Sequence, residues 1–296
     1  MKTTATQHER GEIRLSTQII RKGTEALTRA FAHLVLMAGG IVFMAPFVFL
    51  VSTSLKAYRQ IVVFPPIWIP NPVIWRNYTD VFFYAPFHRY FLNTLLITST
   101  WVIGAVFASS LAAYAFARLR APGRDVIFMV MLSTMMVPGM VRLIPTYIVF
   151  AKLDWIDTFL PLTIPSLLGS AFYIFLLRQF FMTIPMELED AALIDGCSRF
   201  GIWWKIMLPL AKPALATVTI FAFMGAWNDF LGPLIYLNSR KLYTLALGLQ
   251  VFTRAHGSEG GLLMAASAMM ITPIILLFFF AQKQFVQGIV LTGIKG

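Results

Sequence analysis

The sequence has 296 residues, of which 58% are hydrophobic and only 12% charged, and its mean hydropathy is +0.74. A chain this apolar lacks the polar side chains to cover its surface in water, so an ordinary soluble domain is excluded and lipid is the solvent for much of it. The net charge of +11 does not point to nucleic acid, because the basic residues sit between long apolar runs and form no continuous face.

From the start of the chain, residues 1–30 read as a polar tail carrying Lys2, Arg10, Arg14, Arg21, Lys22 and Arg29. The apolar run after it is too long for the core of a signal peptide and reads as a retained span. A helix needs about 20 mostly apolar residues to cross a bilayer. Six stretches qualify: 31–53, 92–117, 126–150, 159–180, 211–236 and 262–284. Pro138, Arg142 and Pro145 interrupt the third, which a span tolerates where neighbouring helices satisfy the freed carbonyls. After the first span, residues 56–91 form a loop rich in Pro and Trp, and Phe64-Pro65-Pro66 and Pro70-Asn71-Pro72 favour extended backbone there.

The chain therefore divides into a cytoplasmic tail (1–30), a first span with its external loop (31–91), a core (92–285) containing a connecting loop at 185–209, and a C-terminal tail (286–296). An even number of spans puts both termini on one side. With the N-terminus inside, fifteen basic residues fall on the inner side and eight on the outer, the bias that orients membrane proteins. An all-α, multi-pass protein with both termini in the cytoplasm is the expectation.

The loop 185–209 carries the most local information. Pro185 can open a helix, and Glu187, Glu189 and Asp190 in its first turns complement the positive end of the helix dipole. Leu188, Ala191, Ala192 and Asp195 recur at three- and four-residue spacing. Gly196 can end this helix with a positive φ, Ser198 can N-cap a second short helix, and Pro209 bounds that one. The product is a helix–turn–helix outside the membrane. On these features alone it is either a surface that receives another protein or a solvated amphipathic linker.

The spacing resembles the loop Glu-Ala-Ala-x3-Gly-x9-Ile-x-Leu-Pro of ABC-importer permeases, falling here on Asp190-Ala191-Ala192, Gly196, Ile206, Leu208 and Pro209. Asp190 stands where Glu is usual, keeping the charge on a shorter arm. Ser110–Arg118, Trp227-Asn228-Asp229-Phe230-Leu231 and Gly288–Gly296 are similar to segments of sugar importers of the maltose-transporter type. The resemblance implies a methionine-importer-type permease fold with six spans and a cytoplasmic coupling helix. It implies that Glu187, Glu189, Asp190, Ala191, Ala192, Asp195, Gly196, Ile206, Leu208 and Pro209 engage an ATPase, with Glu187 or Glu189 able to supply the ion pair if Asp190 does not. It implies that the tail at Gly293, Lys295 and Gly296 reaches the ATPase dimer. The partners it implies are a second related permease, two ATPase subunits that bind ATP and Mg, an extracytoplasmic solute-binding protein and the lipid of a bacterial or archaeal cytoplasmic membrane. The cargo it implies is a sugar or oligosaccharide moving inward.

The remaining charged positions are ambiguous. Asp229, beside Asn228 in the fifth stretch, either packs helices, with Asn228 capping backbone groups, or lines a pathway. Arg142 either snorkels to the headgroups or faces that pathway. His8, His33, His88 and His256 are scattered without ligand spacing, the one cysteine is Cys197, and no metal site is expected. Trp203 and Trp204 read as packing into the ATPase interface or the membrane surface. No Gly-x4-Gly-Lys-Ser/Thr or nucleophile-elbow motif occurs, so the expectation is a non-catalytic subunit that binds no cofactor itself. The rival readings are a channel or secondary transporter that works without an ATPase, an importer of a non-sugar solute, and an intramembrane enzyme.

Overall fold

The computed structural model describes the backbone of residues 3–254 and 260–293 and the side chains of residues 27–253 and 260–282; among these every regular element is helical. Helix α1 runs from Thr3 to Ser54, so the boundary read at residue 30 falls inside a helix whose apolar part is Leu27–Ser54. No glycine or proline separates the polar tail from the apolar run, and nothing there stops helix propagation. Inside the stretch 56–91 read as loop, α2 (Arg76–Tyr84) forms and leads to α3 (Phe87–Arg118), a helix of 32 residues and so about 48 Å long.

Helix α3 is the axis of the fold. It packs against α6 (Ala171–Thr183), α9 (Lys212–Trp227), the 3-10 turn Ile164–Leu168 and α11 (Leu245–Arg254). Small residues make this possible: Gly104, Ala105, Ser109, Ser110 and Ala113 are all buried on it. A Cβ on Gly104 would lie 2.7 Å from Ser166 Oγ and 2.8 Å from Leu167 Cδ2. The last helix, α12 (Gly260–Gly293), covers α9 and α11 and packs along α1.

Three of the expected spans are broken. The third is α4 (Arg124–Ser133), a 3-10 turn at Thr134–Met136 and α5 (Gly139–Lys152), bent by 101° at Val137-Pro138. The fourth begins with a short helix Leu160–Thr163 and the turn Ile164–Leu168, and resumes as α6 only after Gly169 at φ 78°. The fifth, read as continuous over 211–236, is α9 alone; the backbone leaves the helix at Asn228–Phe230 and re-enters it as α10 (Leu231–Tyr236). Among the described residues four helices are long and apolar enough to cross a membrane, with Leu160–Thr183 taken as one, or up to six if the bent pairs Arg124–Met136 with Gly139–Lys152 and Arg199–Leu210 with Lys212–Trp227 are each one span. Leu36, Ile41, Phe43, Ile103, Phe278 and Phe280 are among the large apolar side chains left exposed, as a lipid-facing surface requires.

The two ends of α3 are built differently. At its N-terminal end, Asn93 Nδ2 donates to the carbonyls of Lys241 and Tyr243, each at 3.0 Å. Nearby Asp157 ties two loops together. Its Oδ1 accepts from the N–H groups of Asn238 (2.9 Å) and Ser239 (2.7 Å), and its Oδ2 accepts from the Ser239 hydroxyl. These donors, the Ser239 hydroxyl first, hold the Asp157 carboxyl below its usual range. A depressed folded pKa means that the clamp stabilises fully above the unfolded carboxylate value, near ~3.9, and is lost as pH falls through the lower folded value. Asp157 has φ 61°, which Asn also tolerates, so Asp157→Asn isolates the charge. We expect Asp157→Asn to lose about 2 kcal/mol at pH 7, read as a lower thermal midpoint in detergent, with the gap to wild type narrowing in acid. Equal midpoints at pH 7 would remove the clamp from the account.

Candidate functional site

At the C-terminal end of α3 sits the hairpin expected from the sequence. Helix α7 (Glu187–Ile194) begins with Glu187, Glu189 and Asp190 in its first turn. It ends with Gly196 at φ 79°, a conformation that glycine adopts without Cβ strain. The Gly196 N–H donates to Leu193 O at 3.0 Å and the Cys197 N–H to Ala192 O at 2.9 Å, which together form a Schellman turn. Ser198 Oγ then accepts from the Gly201 N–H at 3.1 Å and caps the second arm, α8 (Arg199–Ile202). The backbone continues through a π-turn at Trp203–Met207 and a last turn at Leu208–Leu210 that holds Pro209, and the arm ends there, meeting α9 at 83° after Ala211.

The two faces of α7 differ in chemistry. Outward, Leu188, Ala191 and Ile194 lie among Glu187, Asp190 and Asp195, and Ile194 is 87% exposed. Inward, Ala192 joins Ile202, Trp203 and Met207 of the second arm and Ala113, Tyr114, Leu177 and Phe181 of α3 and α6 in one buried cluster. Trp203 is therefore not an interface or membrane-surface residue. It is fully buried, edge-on to Phe107 with ring centroids 5.4 Å apart, while Trp204 stays exposed. Ile206 and Leu208 are half-buried against the same cluster and Pro209 is exposed.

Glu189 also turns inward, unlike its neighbours. Its side chain is 2% exposed, so it is not an acid offered to a partner on the outer face of α7. Its Oε1 accepts from Tyr114 Oη at 3.1 Å and from Arg199 Nη1, and its Oε2 lies 3.8 Å from Arg118 Nε. Arg118 is 4% exposed, and its Nη2 donates to Phe181 O at 2.6 Å and to Ile184 O, which caps the end of α6. Sequence reading treated Arg118 as an orientation charge and passed over Tyr114. The signal was present: Glu189 shares a helical stripe with Ala192 and Gly196, and Arg118 closes an apolar run.

The other candidates are spread out. Asn228 Nδ2 donates to Met224 O at 2.9 Å and Asp229 Oδ1 accepts from the Gly232 N–H at 3.1 Å, so both satisfy backbone at the break between α9 and α10. Asp229 also lines a cavity of about 300 Å³ together with Arg142, Thr146 and Tyr236. These polar groups converge at the kinked ends of α5 and α10, away from the hairpin. Gly293 ends α12, and Lys295 and Gly296 lie outside the described residues. Among the described residues no group of His, Cys, Asp or Glu could hold a metal ion.

Comparison with known proteins bears on this arrangement directly. Residues 104–290 match the family described as binding-protein-dependent transport system inner membrane component. The chain is 33% identical over 269 residues to the sn-glycerol-3-phosphate transport system permease protein UgpE of Yersinia enterocolitica, covering 88% of this chain and 95% of that one. It is 33% identical over 228 residues to the arabinooligosaccharides transport system permease protein AraQ of Bacillus subtilis, covering 77% of this chain and 81% of that one. Its fold is similar to that of a chain in the crystal structure of a bacterial ABC transporter involved in the import of the acidic polysaccharide alginate. The TM-score is 0.76 at 24% identity, over 88% of this chain and 97% of that chain. The apolar helices, the hairpin and the match across both make this chain a member of the binding-protein-dependent transport system inner membrane components, a membrane permease of the ATP-binding-cassette importer class.

Proposed function

We propose that the chain forms half of a solute pathway of the methionine-importer type, with six crossings, both termini and the hairpin on the cytoplasmic side, and a second, related permease as the other half. In this reading α4 and α5 together make one crossing and α9, without the hairpin arm before it, makes another; residues 1–30 and 286–296 are the cytoplasmic tails, and 31–91 carries the first span and the external loop. The outward face of α7 docks on an ATPase that binds ATP and Mg. Asp190, Glu187 and Asp195 meet its basic groups, and Ala191 allows close approach. The tail at Gly293, Lys295 and Gly296 reaches toward the same ATPase dimer. An extracytoplasmic solute-binding protein delivers the cargo in this reading; a bacterial alginate ABC transporter of similar fold has been solved in complex with its alginate pentasaccharide-bound periplasmic protein.

The observation that carries this reading is the exposed face of α7, where Leu188, Ala191 and Ile194 stand uncovered among acids on a hairpin that projects from the spans. The relatives are named for a phosphorylated polyol and for arabino-oligosaccharides, so a carbohydrate or polyol derivative is the proposed cargo, moving inward. Asp229 and Arg142, on the cavity between α5 and α10, are the proposed polar lining of the pathway.

Reconstitution tests it. Liposomes holding both permeases and the ATPase, with the binding protein added outside, are expected to take up labelled arabino-oligosaccharide or sn-glycerol 3-phosphate only with ATP and Mg at the ATPase. Uptake that continues in liposomes lacking the ATPase would replace this reading with the channel or secondary-transporter one.

A further inference from the structure

A hairpin pushed from outside moves the spans only if it cannot slide along them. Most of its inner face is apolar, and apolar contact is non-directional: Ala192, Ile202 and Met207 would remain buried after a small slip along α3 and α6. The charged cluster has no such freedom. Among the described residues Glu189 is the only buried carboxylate and Arg118 the only buried guanidinium, and each is fixed by donors and acceptors from different elements. Glu189 belongs to α7, Tyr114 and Arg118 to α3, and Arg199 to the second arm, while Arg118 also holds the last carbonyls around the end of α6. Three elements thus meet at one carboxylate, and Arg118 ties a fourth, α6, to them. In an interior without water, charged groups that leave such partners are left unpaired, so the contact resists displacement in every direction. The Arg118 Nε and Glu189 Oε2 atoms face each other across 3.8 Å as an ion pair without a hydrogen bond.

We propose that Glu189 is a positioning residue of energy coupling: it locks α7 to the ends of α3 and α6 through Arg118 and Tyr114, and to the second arm through Arg199, so that the hairpin and these spans move as one body. This rests on the docking role of α7 proposed above.

The test uses the assembled complex of both permeases and the ATPase in lipid nanodiscs, with nitroxide labels on Arg120→Cys at the end of α3 and Lys205→Cys on the second arm, in a Cys197→Ser background. The probe is a non-hydrolysable ATP analogue with Mg, so no cargo is needed, and the readout is the label-to-label distance. In the labelled parent the distance is expected to stay unchanged when nucleotide binds. With Glu189→Gln the ATPase stays bound, but nucleotide is expected to shift and broaden the distance, and in the liposome uptake assay with ATP, binding protein and cargo the solute moved per ATP falls by about tenfold. Glu189→Asp restores part of both. A parent distance that itself shifts, or a Glu189→Gln complex that behaves as the parent, overturns the proposal. So does loss of the ATPase from Glu189→Gln, which would make Glu189 a docking residue. If Glu189→Gln does not assemble, Tyr114→Phe decides: it removes one hydroxyl, and a parent-like distance overturns the proposal whereas a nucleotide-dependent shift supports it. If the parent chain itself holds no ATPase, the docking role fails and this inference with it, an outcome recognisable before any Glu189 variant is made.

Discussion

Replacing Arg118 by methionine is expected to cost about 3 kcal/mol, because a buried carboxylate loses one of its two charge partners and two carbonyls lose a donor. The side chain is 4% exposed, and its loss leaves Glu189, which is 2% exposed, with the half-exposed Arg199 as its remaining cation. It also uncaps the Phe181 and Ile184 carbonyls at the end of α6. Methionine fills much of the same volume, so a cavity adds little and the cost is electrostatic and hydrogen-bonded. Against a total stability of about 5–15 kcal/mol, a loss of this size removes a large share of the margin. Thermal unfolding in detergent and the yield of monodisperse protein both report it. The control that isolates the cause is the pair Arg118→Met with Glu189→Gln. Removing both charges is expected to recover part of the loss, because the buried anion is gone and the cation that remains, Arg199, is half exposed. A double variant no better than Arg118→Met would assign the cost to the α6 carbonyls instead. Arg199 cannot substitute for Arg118, since it is 51% exposed and approaches Glu189 from the hairpin, giving no tie to the spans.

The second large effect is expected at Gly196. Proline is locked near φ −65°, whereas residue 196 sits at 79°, and its missing N–H removes the bond to Leu193 O. The turn that sets the angle between α7 and the second arm therefore cannot close as it does. Nothing lies within 4 Å of a Cβ built on Gly196, so the strain is one of backbone conformation alone. A cost of about 3 kcal/mol at the turn corresponds to roughly 100-fold weaker docking if the complex has to restore the native angle. Co-purification of the ATPase with Gly196→Pro is expected to fail while the permease remains folded. Gly196→Asn is the milder comparison, because Asn adopts this region at modest cost and keeps the N–H. A Gly196→Pro chain that still holds its ATPase would show that the turn does not set the docking geometry.

How far such features are legible depends on the range of the forces behind them. The apolar runs are visible in the sequence because crossing lipid demands a length of unbroken hydrophobic chain, and 92–117 and 262–284 lie inside α3 and α12. The hairpin turn is visible because its causes are local: Gly196 supplies a positive φ, Ser198 has an oxygen three residues before the N–H it caps, and the acids sit at the start of α7. The breaks were less visible. Pro138 marks a weak point in the third run, but its 101° bend is set by what α4 and α5 pack against. At Gly169 the apolar run continues while the helix stops, and at Asn228-Asp229 two polar residues mark the place without distinguishing a break from a polar pair inside a continuous helix.

The sequence by itself determined that this chain lives in lipid, that it is helical, and that a two-armed hairpin with a glycine turn projects between two spans. Hydrophobic length, dipole complementarity and capping act within a few residues, so they can be read in order along the chain. Only the tertiary structure decided which of three neighbouring acids is buried, that Trp203 is core while Trp204 is surface, and that Arg118 is a structural tie as well as an orientation charge. The partners responsible lie far away in sequence: Tyr114 is 75 residues from Glu189, and the Phe181 carbonyl is 63 residues from Arg118. A charge can stay buried only where such partners converge, and that convergence exists only after α3, α6 and α7 have packed.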